Sequence, residues 1–336
     1  MYKEIMCDFN NLREAYRLSH RLKTDSEDVI EFDKNKLYNL NLIRKALLNK
    51  EWDKLFEYYR FIIHDPKERI VDAMQYRGRI VQHVLCDNIL RPYFEPKLIK
   101  ENCACRKDKG TDYALNLIKQ GLVSFLKQHK TGYVLKIDVK KYFPSIDRTV
   151  LKNLLKDFPD EEIKELLYYL IDNSPDEKGL PIGNQSSQWL ALYYLNKLDH
   201  TIKEKYRIKY CARYMDDYII IHEDKEYLKK LLAELRQIAK DDLKLEFNGK
   251  TQIAPLHRGF SFLGWRFVIG KNNKIVKKIN REKKKIRVTH IKEANKLPLE
   301  QKKKVFKSYD VYLSKGNTYQ FRNYYGINQF IKEFSL

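Results

Sequence analysis

Apolar side chains recur at three- and four-residue intervals through NLNLIRKALLNKEWDKLFEYYRFIIH, residues 39–64, and the spacing predicts helix over most of the first hundred positions. Asp65 and Pro66 break that pattern, which resumes as a short helix in IVQHVLCDNILRPYF. YVLKIDV, residues 133–139, alternates as a half-buried strand does, and EEIKELLYYLIDN returns to helical spacing. GLPIGN reads as a loop, followed by a helix in SSQWLALYYLNKLDHTIKEKY with Ser186 or Ser187 as its N-cap. RIKYCARY and YIIIH predict two strands of a hairpin around MDD, and KEYLKKLLAELRQIAKDDL an amphipathic helix. FSFLGWRFVI reads as a strand with Gly264 inside it.

The hairpin raises a chemical question. Asp216 and Asp217 stand side by side between two apolar runs that predict burial, and burying like charges costs several kcal/mol without a compensating positive group. An exposed surface turn would avoid the cost; a bound cation would offset it. Asp138 also ends an apolar strand, and if that strand lies beside the hairpin, three oxygen donors converge without His or Cys. Such a set suits Mg²⁺, which keeps waters and shares carboxylates with substrate phosphates.

Composition favours a polyanionic partner. The chain has 336 residues, 43% hydrophobic, enough for a sizeable core and about two domains. Lys and Arg number 66 against 45 Asp and Glu, a net charge of +21. Between Lys271 and Asp310 stand 15 Lys or Arg against 4 Asp or Glu, so about half of that excess lies in one short stretch. A solvated helical face is the ordinary reading of such a run; the matching sign of the whole chain favours a surface that tracks a phosphate backbone. Five scattered Cys fit reduced thiols better than disulfides or zinc, and no apolar run approaches a membrane span. The expectation is a cytoplasmic protein.

Tyr214-Met215-Asp216-Asp217 matches the YxDD signature of reverse transcriptases, and further blocks follow in that family's order. PKERIV (66–71) resembles the opening fingers block, NCACRKDKGTDYAL the triphosphate-gripping block, IDVKKYFPSID motif A, GLPIGNQSSQ motif B, EFNGKTQI motif D and FLGW motif E. The resemblance runs from about residue 60 to 267. It implies an α+β right-hand polymerase with helical fingers, an antiparallel palm sheet and a basic helical thumb. The implied boundaries are a helical extension over 1–60, fingers over 61–132, palm over 133–267 and thumb over 268–336.

The resemblance also implies roles. Asp138 and Asp216 would be metal-binding carboxylates, with Asp217 the third acid and the Val139 carbonyl a further ligand, for two Mg²⁺ ions that Mn²⁺ can replace. Arg106, Lys109 and Gly110 would form the triphosphate grip, where cations match the charge of phosphoryl transfer; a surface salt bridge is the alternative for Arg106. Phe143 occupies the sugar-gate position and implies dNTP substrates; an ordinary core Phe is the alternative. Ile182, Gly183 and Gln188 belong to motif B, and Lys250 to motif D as a proton donor or simply a solvated lysine.

Motif B carries Ile182 before its glycine where retroviral enzymes have glutamine. IGNxxSQ resembles the bacterial enzymes of diversity-generating retroelements and related groups, some associated with phage defence. That resemblance implies error-prone copying at template adenines; loss of one polar contact to a base edge can erase about 1–3 kcal/mol of discrimination, and a merely packing Ile182 is the alternative. The partners implied are an RNA template, a DNA or RNA primer, dNTPs, and a structured RNA or small accessory protein, in a bacterial or phage-encoded setting. A defence enzyme making repetitive or non-templated DNA is the rival reading, and a catalytically silent nucleic-acid scaffold a third.

Overall fold

The centre of the molecule is the strand β3 (Tyr133–Ile137), held between β5 (Asp217–His222) and β6 (Gln252–Pro255), with β4 (Tyr210–Tyr214) outside β5. All three pairings are antiparallel. The computed structural model describes residues 2–21, 26–64 and 68–334. β5 reads YIII because both faces of the sheet are covered. Leu135, Ile137, Cys211, Tyr218 and Ile220 face the larger core, which includes the helices Tyr76–Leu85, Gln185–Tyr194 and Lys225–Asp241. Val134, Ala212, Ile219 and Ile221 face the helix Thr111–Gln128 through Leu115, Ile118, Leu122 and Phe125.

Two small sheets flank this one. β1 (Tyr58–Ile63) and β2 (Arg69–Met74) form an antiparallel hairpin, and Phe260–Phe262, Trp265–Ile269 and Ile275–Ile279 form a meander, β7 to β9. The C-terminal helices Arg281–Ala294, Leu299–Leu313 and Ile327–Glu333 bury a cluster of their own, Ile291, Phe306, Leu313, Ile327 and Phe330. Trp265 stacks on Tyr312 at 5.1 Å and joins that cluster to the meander.

Three sequence expectations give way here. Residues 58–63, assigned to a helix, are β1: YYRFII is aromatic and β-branched nearly throughout, and pairing with RIVDAM outweighs its helical spacing. FSFLGWRFVI is two strands, β7 and β8, because Leu263 and Gly264 both take positive φ and reverse the chain. Neither Ser186 nor Ser187 caps its helix. Asn184 stands at the N-cap, and Gln82 Oε1 accepts from the N–H groups of Gln185 and Ser186 at 2.8 and 3.4 Å. Asp65 and Pro66, read as the break in the helical pattern, lie outside the described residues, as does Lys67 of the opening fingers block. Among the described residues no helix is long and apolar enough to cross a membrane.

Candidate active site

Register decides where the carboxylates go. Ile137 pairs with Tyr218, so Asp138, one residue on, falls beside Asp217 at the same end of the sheet. Tyr214 pairs with Asp217, which leaves Met215 and Asp216 as a two-residue turn. Met215 adopts φ +55°, a left-handed conformation that costs a non-glycine residue of order 1 kcal/mol.

The three acids act on one another. Burial raises the Asp216 carboxyl to about 6, with Asp138 adding repulsion and Arg213 and Arg69 opposing it. Burial raises Asp217 to about 7; Lys136 opposes this, while Asp138 and Asp216 add to it. Lys136 stands two residues before Asp138 on the same strand face, with Nζ 3.3 Å from Asp217 Oδ1 and from the Ser261 carbonyl. Asp217 Oδ1 is nevertheless buried without a well-formed hydrogen bond.

The segment after the helix Lys225–Asp241 straps Asp138. Asn248 Nδ2 donates to Asp138 Oδ2 at 2.8 Å, and its backbone N–H donates to the Asp138 carbonyl at 2.8 Å. The Val139–Phe247 bridge draws its hydrogen bonds from Asp138 and Lys140, leaving the Val139 carbonyl out of it. Lys250 is exposed, its N–H donating to Asn248 Oδ1 at 2.6 Å.

The acidic set fits a hard divalent cation by donor chemistry: oxygen-only ligands, mutual repulsion and a buried carboxylate oxygen without a hydrogen bond. As folded, with Asn248 on Asp138 and Lys136 on Asp217, no three His, Cys, Asp or Glu side chains among the described residues form a group ready to hold a metal ion.

The other candidates sit around this end. Arg106 and Lys109 point into their own loop. Arg106 donates to the carbonyls of Ile99 and Asn102 at 2.8 and 3.2 Å and pairs with Glu95, and Lys109 donates to those of Lys100 and Asn102 at 2.6 and 3.3 Å. Burial, then Arg106, lowers the Lys109 ammonium. Gly110, at φ +134°, precedes the helix Thr111–Gln128. Phe143 is half-buried, edge-on to Tyr142 at 5.7 Å.

The motif B loop is fastened to the hairpin. The Ile182 carbonyl accepts from Asp72 N–H at 3.0 Å, and Asn184 bonds the Asp72 carbonyl and Met74 N–H at 2.7 and 3.3 Å. Gly183, at φ +114°, lies so close to β2 that a Cβ would stand 2.8 Å from Val71 Cγ1. Gln188 is half-buried on the helix Gln185–Tyr194.

Residues 64–267 match the profile of the reverse transcriptase (RNA-dependent DNA polymerase) family. The chain belongs to that family. Among solved structures, this reverse transcriptase is similar to a Candida albicans telomerase in complex with the TWJ fragment of telomeric RNA, at 10% identity and a TM-score of 0.51, over 73% of this chain and 51% of that one. It also matches an apo telomerase from Candida tropicalis truncated from its C-terminal domain, at 12% identity and a TM-score of 0.49, over 73% of this chain and 60% of that one. The chain thus spans between half and two thirds of the length of these two structures. No curated protein matches it.

Four side chains of this site escaped the sequence reading. Lys136 carried a signal, its place two positions before Asp138 in an alternating strand. Asn248 stood in an Asn-Gly pair that marks a turn but says nothing of what the turn touches. Arg69 stands inside the PKERIV block and Arg213 directly before the YMDD signature, with nothing in either pattern to say that they face the acids.

Proposed function

We propose that this reverse transcriptase extends a primer on an RNA template with dNTPs. The observation that carries the reading is the β3–β5 register, which brings Asp138 to the Asp216–Asp217 turn from 78 residues away in the chain. Asp138, Asp216 and the Val139 carbonyl would hold two Mg²⁺ ions, with Mn²⁺ able to replace them, and Asp217 beside them. Bound there, the ions would stabilise the attacking and leaving oxygens of phosphoryl transfer.

The protein's own groups supply the rest. Asn248 aims Asp138, and Lys136 offsets the charge of Asp217. Arg69, at the start of β2, opposes the raised Asp216 carboxyl and would add a cation near the acids. Arg106 and Lys109 would grip the β- and γ-phosphates after exchanging their loop carbonyls for phosphate oxygens. Phe143 would meet the sugar 2′ position. Gly110 would let the backbone approach the phosphates, and Ile182, Gly183 and Gln188 would line the templating base. Lys250, free in its exposure to approach the departing pyrophosphate, would protonate it.

Within the family, IGNxxSQ and the aliphatic Ile182 favour the type found in diversity-generating retroelements, with error-prone copying and a structured RNA or small accessory protein as partner. A defence-associated enzyme making repetitive or non-templated DNA is the rival reading. Sequencing nucleic acid that co-purifies with the protein separates them: substitutions at template adenines support the first, tandem repeats the second.

Primer extension on an RNA template with dNTPs and Mg²⁺ tests the activity. Wild type should extend and Asp216→Asn should not; equal extension by both refutes the site. Phe143→Ala should admit ribonucleotides, and an unchanged dNTP to NTP ratio would remove the gate.

A further inference from the structure

Arg213 is 1% exposed and Asp199 fully buried, the most deeply buried charged pair near the site. Arg213 Nε and one terminal nitrogen donate to Asp199 Oδ2 at 3.0 and 2.6 Å. That nitrogen also donates to the Leu192 carbonyl at 3.0 Å, near the end of the helix Gln185–Tyr194. The other terminal nitrogen donates to the Met215 carbonyl at 2.9 Å.

The backbone of the same residue reaches a third element. Arg213 N–H donates to the Glu101 carbonyl at 2.9 Å, and the Arg213 carbonyl accepts from Cys103 N–H at 2.8 Å. Asn102, between them, supplies the carbonyl on which both Arg106 and Lys109 rest.

A buried ion pair is a poor stability device, because desolvation consumes most of its Coulomb energy and well-packed apolar residues often serve as well. Its geometry here does something that apolar packing cannot. Met215 holds a left-handed φ with a full side chain, and such a conformation persists only where surroundings over-determine it.

We propose that Arg213, held in place by Asp199, is a positioning residue that locks the Met215–Asp216 turn to the motif B helix and to the loop carrying Arg106 and Lys109. It touches no substrate. The guanidinium fixes the Met215 carbonyl, which fixes the direction in which Asp216 leaves the turn. The same residue braces the phosphate-grip loop, so the acids and the cations keep a common frame. The assignment rests on the polymerase reading for its kinetic consequence but not for its structural one.

The test uses Arg213→Lys and the charge-free pair Arg213→Met/Asp199→Leu in the full chain. Folding is followed by circular dichroism, the turn by hydrogen exchange at Met215–Asp217, and catalysis by single-nucleotide incorporation. The double variant should fold like wild type and exchange its turn amides at least about tenfold faster, with β3 unchanged. Its kcat should fall by about 10²-fold with the KM for dNTP within about threefold, the signature of misplaced catalytic groups rather than lost binding. Arg213→Lys, which keeps the charge but cannot reach all three acceptors, should fall between the two.

A folded double variant that exchanges and incorporates like wild type overturns the proposal. So does failure of both variants to fold, which would assign the pair to stability alone. If the variant turn loosens while wild type extends no primer, the positioning role stands and the polymerase reading falls.

Discussion

The carboxylates of the turn should weaken the fold that holds them, and Asp216→Asn measures by how much. In the folded chain burial raises the Asp216 carboxyl to about 6, against about 3.9 in an unfolded chain. Between these values the folded state carries more protons than the unfolded, so stability falls as pH rises through that window. The penalty is absent below about pH 4 and complete above about pH 6. A rise of that size corresponds to about 3 kcal/mol, an upper figure for a partly exposed group; about 1–3 kcal/mol is expected.

Asn keeps the shape of the protonated acid and also relieves Asp217, on which Asp216 acts. For 336 residues the unfolding entropy is about 0.7 kcal/mol/K, so Asp216→Asn should raise Tm by about 1.5–4 °C at pH 7.5 without divalent ions. The gain should vanish near pH 4. Mg²⁺ should then stabilise wild type and not the variant. Thermal scans at the two pH values, with and without Mg²⁺, give all three comparisons. A variant no more stable than wild type at pH 7.5, or a gain that persists at pH 4, would refute the electrostatic account.

Other expectations follow from the contacts around the turn. Asn248→Ala frees Asp138 and should lower kcat by about 10- to 100-fold with little change in KM for dNTP; single-turnover incorporation reads this, and an unchanged rate removes Asn248 from the site. Gly183→Ala forces a side chain into φ +114° against Val71 and should cost about 1–3 kcal/mol in denaturant unfolding, an effect whose absence would mean that the loop shifts freely. Lys284 and Lys285 are exposed on the helix Arg281–Ala294, and replacing both by Gln should reduce the salt slope of template binding by about 1.4–1.8; an identical slope would move the phosphate contacts elsewhere.

The sequence by itself marked the three acids, and the β3–β5 register, a property of the fold, brought them to one end of the sheet. Asp138, Asp216 and Asp217 were legible because a strand end and a hairpin turn are local events, written in a two-residue period and a short interruption. The net charge and the ordered blocks were equally local, and they carried the family. Local pattern failed where long-range pairing had the larger energy. YYRFII has helical spacing, yet β2 offered it a full ladder of partners. What only the tertiary structure decided is which polar groups aim at the acids. Asn248 reaches Asp138 across 110 positions and Lys136 reaches Asp217 across 81, while Arg213, adjacent to the signature, turns inward to Asp199 and Leu192. A side chain's type fixes what it can bond; register and packing fix what stands within about 3 Å of it, and those are properties of the whole fold.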